Sequence, residues 1–374
     1  MTSLQVGHVT LTMGQGGIEN LILSLGETLS GEKTTCSVYC LDDGGELLET
    51  VERMGMRTVV FKRRNGLDWG LIAALAKKFR ADRLHVVHTH NVAAHFYGCM
   101  AARLARVPVV INTEHSRHYI DGHWRRRVEK WLLSHLSDRL VAVSEELRRS
   151  SLELDRINPD KVMVISNGID VRKFSAVSVD DALCLRAREE IAPHIRVITI
   201  IARLHPVKNH QLLFRALSIL KISHPDICLL VVGDGAQKEA LVGLTVELGL
   251  VKSVRFLGNR HDIPVILKAS DLLVLCSTTE GLPLTLLEAM AARVPVVVTS
   301  GSNRCGLIKH GVTGIACGDN PEELANAILE QLAANPEQAP MTAAAYSLVE
   351  QNYSREQMGS EYETLYRQCL PSYC

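Results

Sequence analysis

Asp271-Leu-Leu-Val-Leu-Cys276, followed by Ser277-Thr-Thr-Glu280-Gly-Leu-Pro-Leu-Thr-Leu-Leu-Glu288-Ala-Met-Ala-Ala292, decides the fold. The first six residues read as a short buried strand, Gly281 and Pro283 mark a turn, and an apolar helix opens near Leu284. Glu280 therefore precedes the turn, and Glu288 sits one turn inside the helix. With 41 acidic residues in 374, chance alone supplies roughly four carboxylate pairs at this spacing, so the strand-turn-helix frame carries the signal. The neighbours of Glu288 are Leu286, Leu287, Ala289 and Met290, and burying an unpaired carboxylate among them costs on the order of several kcal/mol. Glu288 is expected to have a partner, such as a hydroxyl-rich ligand.

The same alternation of apolar run and helix extends along the chain. Strand candidates are Leu4 to Leu11, Cys36 to Cys40, Thr58 to Phe61, Leu84 to Thr89, Pro108 to Asn112 and Leu140 to Val143 in the first half. In the second they are Val197 to Ala202, Cys228 to Gly233, Val254 to Leu257, Leu272 to Cys276 and Val294 to Val298. Strands alternating with helices specify parallel sheets covered on both faces. At 374 residues the chain exceeds what one core usually supports. The expectation is an α/β protein of two doubly wound, Rossmann-like domains facing across a cleft. The domains are placed at 1–175 and 176–352, with a linker around Phe174 to Ala192, and 353–374 is expected to be a helix packing back on the first domain. Open sheets bind ligands at the carboxyl ends of their strands. Gly14 to Gly17, His88 to Asn91, His115, Arg203, Gly233 and Glu280 all fall there.

Lysine plus arginine and aspartate plus glutamate both number 41, which argues against a surface built to coat nucleic acid. Ten cysteines lack paired Cys-x-x-Cys spacing, and Cys36, Cys40, Cys228 and Cys276 fall in apparent strands. That usage suits buried thiols in a reducing compartment. No signal-peptide pattern opens the sequence and no apolar stretch reaches the ~18 residues of a membrane span. A cytoplasmic protein, peripheral at most to the inner face of the membrane, is expected.

Several strand ends offer chemistry. Gly14-Gln-Gly16-Gly17-Ile-Glu19 lets backbone amides approach a phosphate or sugar, though an ordinary strand-to-helix turn would look the same. Arg203 and Lys208, in Ile201-Ala-Arg-Leu-His-Pro-Val-Lys-Asn209, bring a guanidinium and an ammonium to one turn, which suits a diphosphate. His115, just beyond a strand, can hydrogen-bond a sugar hydroxyl or an acceptor, or be a structural histidine. His88, His90, His95, His115 and His118 could instead form a zinc site, but no carboxylate or cysteine completes ligand spacing. Arg117, Arg125, Arg126, Arg127 and Lys130 interleave with Tyr119, Trp124, Trp131, Leu132 and Leu133. A basic amphipathic segment over 117–133 could rest on anionic lipid, or be a charged surface helix with Trp131 in the core.

Taken together, Gly16-Gly17, His115, Arg203 with Lys208, Gly233-Asp-Gly235 and the Glu280/Glu288 frame resemble a retaining glycosyltransferase of family 4 with the GT-B fold. Asn167-Gly-Ile-Asp170 supports the resemblance near the domain crossover. The resemblance implies that Arg203 and Lys208 neutralise the donor diphosphate, that Glu288 holds ribose hydroxyls, and that Glu280 and His115 contact the transferred sugar. Gly16, Gly17, Gly233 and the amides around Leu282, Pro283 and Leu284 would complete the donor site. In place of the family's Gly-Gly-x-Pro-Glu loop the chain has Ser300-Gly-Ser-Asn-Arg-Cys-Gly306, so the family's residues there do not transfer. Arg304 adds positive charge near the donor or is a surface residue.

The reaction implied is substitution at the anomeric carbon with retention, from a nucleotide-diphosphate-sugar to a glycan or lipid-linked acceptor. Envelope polysaccharide or lipopolysaccharide biosynthesis is the expected setting. No cofactor or essential metal is expected, since there is no Asp-x-Asp motif and Arg203 with Lys208 supplies the compensating charge. The competing readings are a nucleotide-sugar epimerase of the same fold, a non-catalytic nucleotide-sugar-binding protein, and a zinc hydrolase built on the histidines.

Overall fold

The computed structural model describes residues 3–14, 16–31, 33–90, 92–115, 124–333 and 340–370. The chain divides into two compact units, 1–168 with 355–374, and 169–354.

The first unit is built on a seven-stranded sheet: β1 (Leu4–Thr10), β2 (Thr34–Cys40), β3 (Arg57–Val60), β4 (Val86–His90), β5 (Val109–Glu114), β6 (Arg139–Ala142) and β7 (Val162–Val164). Its order is β3-β2-β1-β4-β5-β6-β7, with every pair parallel. The inner strands are buried along nearly their whole length, and this is why they read as continuous apolar runs. On one face, Val6, Val38, Val86 and Ile111 pack with Leu21, Ile22 and Leu25 of the Gly17–Leu29 helix and with Met358, Tyr362 and Tyr366 of the C-terminal Arg355–Cys369 helix. On the other, Val9, Tyr39 and Val87 meet Leu75 and Phe79 of the Trp69–Ala81 helix and Tyr97 of the Val92–Ala105 helix.

The second unit holds six parallel strands: β8 (Arg196–Ile201), β9 (Ile227–Val232), β10 (Val254–Gly258), β11 (Leu272–Leu275), β12 (Val296–Thr299) and β13 (Ile315–Cys317). The order is β10-β9-β8-β11-β12-β13. Its core joins Ile198, Ile200, Leu229, Val231 and Val274 to Phe214 and Leu217 of the His210–Ser223 helix and to Leu324 and Ile328 of the Pro321–Ala333 helix.

Both sheets reverse strand order once, at β1/β4 and at β8/β11. These reversals leave crevices at the carboxyl ends of the strands, where ligands of such sheets bind.

The expected linker around 174–192 is not one. Val179–Arg188 is a helix whose N-cap, Ser178, accepts a hydrogen bond from the Asp181 amide and which buries Ala182 and Leu185. Two buried residues three apart on a charged helix leave little apolar pattern, which explains the misreading. The unit boundary falls instead at Gly168 and Ile169. β7 and β13 went unread because each is three residues long.

Candidate active site

In the second unit, the loops leaving β8 and β11 meet at the strand reversal. The Thr278 amide donates to Val207 O at 2.8 Å. Lys208, the last residue of a 3-10 turn begun by Pro206, pairs its Nζ with Glu280 Oε1 at 2.5 Å. Ser277 Oγ donates to the same oxygen at 2.6 Å. Lys208 and Glu280 thus form one assembly, and Glu280 already accepts two hydrogen bonds. An ammonium carries three donors, so Lys208 retains capacity for an anion. Arg203 lies exposed on the β8 loop, and its side chain makes no hydrogen bond or ion pair with any described residue.

The next loop approaches closely. The backbone at Gly233 and Gly235 has φ +128° and +156°, and a Cβ on either would collide with the carbonyl of Ala202 or Leu204. Leu204 N donates to Asp234 O at 3.0 Å, which holds the β8 and β9 loops together. Only glycine suits this backbone and this proximity. Gly233 is therefore required by the close packing of the β8 and β9 loops.

Leu282 and Pro283 are buried, and the Leu284–Ala291 helix starts after Pro283 with no side-chain cap. Its first amides are therefore open to an acceptor. Glu288 follows Leu284 by one turn, which places both on one helix face. It is half-buried, and burial lifts its carboxyl to about 7, opposed by the charge of Lys173. The expected partner is absent among the described residues: the carboxylate makes no hydrogen bond or ion pair there. Arg304, from the departing Ser300–Gly306 loop, donates to Thr279 Oγ1 at 3.4 Å, beside Glu280 in sequence.

In the first unit, Gly16 is the N-cap of the Gly17–Leu29 helix and offers no side-chain cap, and a Cβ there would collide with the Glu19 carboxylate. Parallel registration sets His8 of β1 beside His88 of β4, and His90 of β4 beside Thr113 of β5. Residues two apart on a strand share a face, so three histidines gather. His8 Nδ1 lies 3.2 Å from His90 Nε2, and His90 Nδ1 lies 3.3 Å from His115 Nε2. His88 is held by Tyr366 Oη and Thr113 Oγ1, each at 2.7 Å, and Thr113 meets Tyr362 Oη at 2.9 Å. Burial lowers His8 and His115 to about 4. It also holds His88 and His90 well below the usual range, with neighbouring imidazoles adding to the effect. All four rings are neutral at pH 7.

The histidine group differs from the one expected. His8 joins it, whereas His95 bonds Ser137 Oγ at 2.8 Å, and His118 lies outside the described residues. Ligand-capable atoms of His8, His88 and His90 lie within 4.8 Å of one another, but both nitrogens of His88 and of His90 already have hydrogen-bond partners.

The basic segment is also rearranged. The part over 116–123 lies outside the described residues, and Trp124–Leu136 is a helix. Lys130 is not a surface cation: it is buried and bonded to Glu114, to Ser151 Oγ at 3.0 Å and to Asp155 Oδ2 at 2.8 Å. Nor does Trp131 enter the core, being 42% exposed, with Trp124 at 69%. Trp124, Val128 and Trp131, at helical spacing, line a groove with Arg127, Leu154 and Arg156. Among the described residues no helix is long and apolar enough to cross a membrane.

Sequence reasoning missed Ser277 and the pair His8–His90. Ser277 lay in the quoted frame, three residues from Glu280, and its hydroxyl was the available signal. The histidine contacts depend on strand register, which no local pattern reveals.

Comparison with known proteins identifies the family. A model described as Glycosyltransferase Family 4 matches residues 15–173, and one described as Glycosyl transferases group 1 matches 185–348. The chain is 30% identical over 330 residues to the UDP-Gal:alpha-D-GlcNAc-diphosphoundecaprenol alpha-1,3-galactosyltransferase of Escherichia coli, covering 84% of each protein. The fold matches a glycosyltransferase from Rickettsia africae with TM-score 0.87 at 20% identity over 100% of both chains. It also matches Anabaena HepE in complex with UDP and glucose, with TM-score 0.86 at 20% identity over 98% of this chain and 100% of that one. These names favour sugar transfer over the epimerase, binding-protein and hydrolase readings. The chain belongs to family 4 of the glycosyltransferases and has their GT-B fold.

Proposed function

We propose that this glycosyltransferase moves a hexose from a UDP-sugar to a lipid-linked glycan with retained anomeric configuration, in the assembly of an envelope or extracellular polysaccharide. The observation that carries the proposal is the Lys208–Glu280–Ser277 assembly at the β8/β11 reversal, with the exposed Arg203 on the same loop as Lys208. Two cations and an uncapped helix start suit a departing diphosphate. UDP-galactose is the first donor to test, because the Escherichia coli relative is named for it.

Each side chain then has a distinct task. Arg203 and Lys208 balance the charge that grows on the leaving phosphate, a use of fixed charge that removes the need for a metal in this reading. The open amides at Leu284 add donors to its oxygens. Glu288 accepts from ribose hydroxyls, its carboxylate being the half-buried group without a protein partner. Glu280 holds Lys208 and contacts the sugar, and His115 hydrogen-bonds the sugar as well. Gly16, Gly17 and Gly233 let backbone come close to the ligand. No side chain is assigned as a covalent nucleophile. The acceptor attacks the face from which the diphosphate departs, and a leaving phosphate oxygen takes its proton.

The exposed Trp124, Val128 and Trp131 stripe with Arg125, Arg126 and Arg127 supports peripheral attachment to an anionic membrane from the cytoplasmic side, where a lipid-linked acceptor would be met. The direct test incubates purified protein with UDP-galactose and a GlcNAc-diphosphate-lipid in EDTA and follows galactosyl product. Product with a retained α-linkage is expected. Donor epimerisation without acceptor, or strict dependence on an added divalent ion, would overturn the scheme.

A further inference from the structure

His8, His90 and His115 form a single file in which the central ring, His90, uses a different nitrogen on each side. His115 Nε2 faces His90 Nδ1, and His90 Nε2 faces His8 Nδ1. The far nitrogen, His8 Nε2, is buried with no hydrogen-bond partner. At the other end, His115 is half-buried, and its Nδ1 bonds no described residue.

A neutral imidazole carries one N–H and one lone pair, so the bond made by one nitrogen fixes the state of the other. With all three rings neutral, the file admits two polarities. In one, His115 Nε2–H donates to His90, His90 Nε2–H donates to His8, and His8 is left with an N–H aimed into the core. In the other, His8 Nδ1–H donates to His90, His90 Nδ1–H donates to His115 Nε2, and the buried end holds only a lone pair. Among backbone groups an orphaned buried N–H is rarer than an under-satisfied acceptor, and the same preference applied to the file selects the second polarity.

We infer that His8 and His90 are positioning residues that fix His115 as its Nδ1–H tautomer, so that His115 presents a hydrogen-bond donor, not a base, to the sugar. The array is held from beside by His88, whose two nitrogens are tied to Tyr366 and Thr113 and whose ring centroid lies 4.1 Å from that of His90. Burial keeps the rings uncharged, so polarity cannot be erased by a second proton near neutral pH. The role of the sugar as recipient rests on the glycosyltransfer reading above. The tautomer itself does not.

The test is long-range proton–nitrogen NMR of the full-length protein labelled with nitrogen-15 histidine, with His115 assigned by loss of its signals in His115→Gln. Wild type is expected to show a protonated Nδ1 and an unprotonated Nε2 at His115. A protonated Nε2 there overturns the inference, as does stoichiometric zinc in the purified protein, which would make the histidines a metal site. In His90→Asn the side-chain amide can take the place of Nδ1–H, so the His115 tautomer persists and kcat/KM for UDP-galactose stays within about threefold of wild type. In His90→Leu the donor to His115 is gone. His115 is then expected to turn to Nε2–H and kcat/KM to fall about tenfold, the scale of one lost hydrogen bond. Equal tautomers and equal activity in the two variants would refute positioning. Failure of the glycosyltransfer reading looks different: UDP-galactose would leave the His115 signals unmoved and no transfer would occur, while the tautomer pattern stayed as inferred.

Discussion

The two strand reversals of this chain hold opposite kinds of polar group. At β1/β4 the first unit gathers neutral imidazoles that hydrogen-bond one another. At β8/β11 the second unit pairs an ammonium with a carboxylate, and the loop that carries the ammonium also carries an exposed guanidinium. The same topology thus carries two electrostatic arrangements. Fixed charge is useful where charge develops, on a departing diphosphate. Neutral, oriented donors are useful where the ligand group is an uncharged hydroxyl, because they add specificity without the desolvation cost of an ion.

The largest expected effect lies on the charged side. Lys208→Ala removes the ammonium and leaves Glu280 without its ion partner, and kcat/KM for transfer should fall by about 10² to 10³. A variant within threefold of wild type in steady-state kinetics would abolish the contrast between the two regions. Arg203→Ala, which breaks no protein contact, should cost roughly 10- to 100-fold, the worth of one charged hydrogen bond. Because the unliganded structure loses nothing, its melting temperature should stay put, and a large drop in Tm would show that Arg203 has a structural task.

Glu288 is a third case, a carboxyl whose side chain has no hydrogen-bond or ion-pair partner among the described residues. Its folded value is raised to about 7 from 4.5, so the native state holds a proton that the unfolded chain has released. This contribution to stability is present below about pH 4.5 and is lost as pH rises through 7. Glu288→Gln should therefore raise the Tm of the ligand-free protein by a few degrees at pH 8, on the order of 1–3 kcal/mol, and leave it nearly unchanged at pH 5. Donor KM in the wild type should fall between pH 6 and 8 as the carboxylate ionises to accept ribose hydroxyls, and in Glu288→Gln it should be flat and higher. Calorimetry and pH-dependent kinetics would expose either sign being wrong.

Smaller effects follow outside these centres. Neutralising Arg125 and Arg126 should weaken flotation with anionic vesicles by about fivefold per charge at low salt, and replacing Trp124 and Trp131 should weaken it further. Flotation indifferent to all four changes would remove the membrane role. Ser277→Ala deletes one hydrogen bond to Glu280, so a loss of only about two- to tenfold in kcat/KM is expected.

Much of the framework was legible because inner strands of parallel sheets are buried on both faces. Ile227–Val232 and Leu272–Leu275 announce themselves as apolar runs. The Ser277–Glu288 stretch was equally open to reading, since strand, turn and helix all lie within one window. Lys208 and Glu280 were separately identified, yet their direct pairing was not, because it depends on how two loops 72 residues apart converge. The same holds for His8 and His90, which meet through register. Lys130 shows the opposite failure. A lysine on a basic helix looks exposed in sequence, but Glu114 and Asp155 arrive from other elements to pair with it in the interior.

Calorimetric titration of UDP into wild type and Lys208→Ala, both in EDTA, is the most direct test of Lys208 as the counter-charge to the diphosphate. In that role wild type binds without metal and the variant binds at least tenfold more weakly, with the difference shrinking as salt screens the exposed charges. Equal affinity in the two proteins, or wild-type binding that appears only when a divalent ion is added, would contradict it.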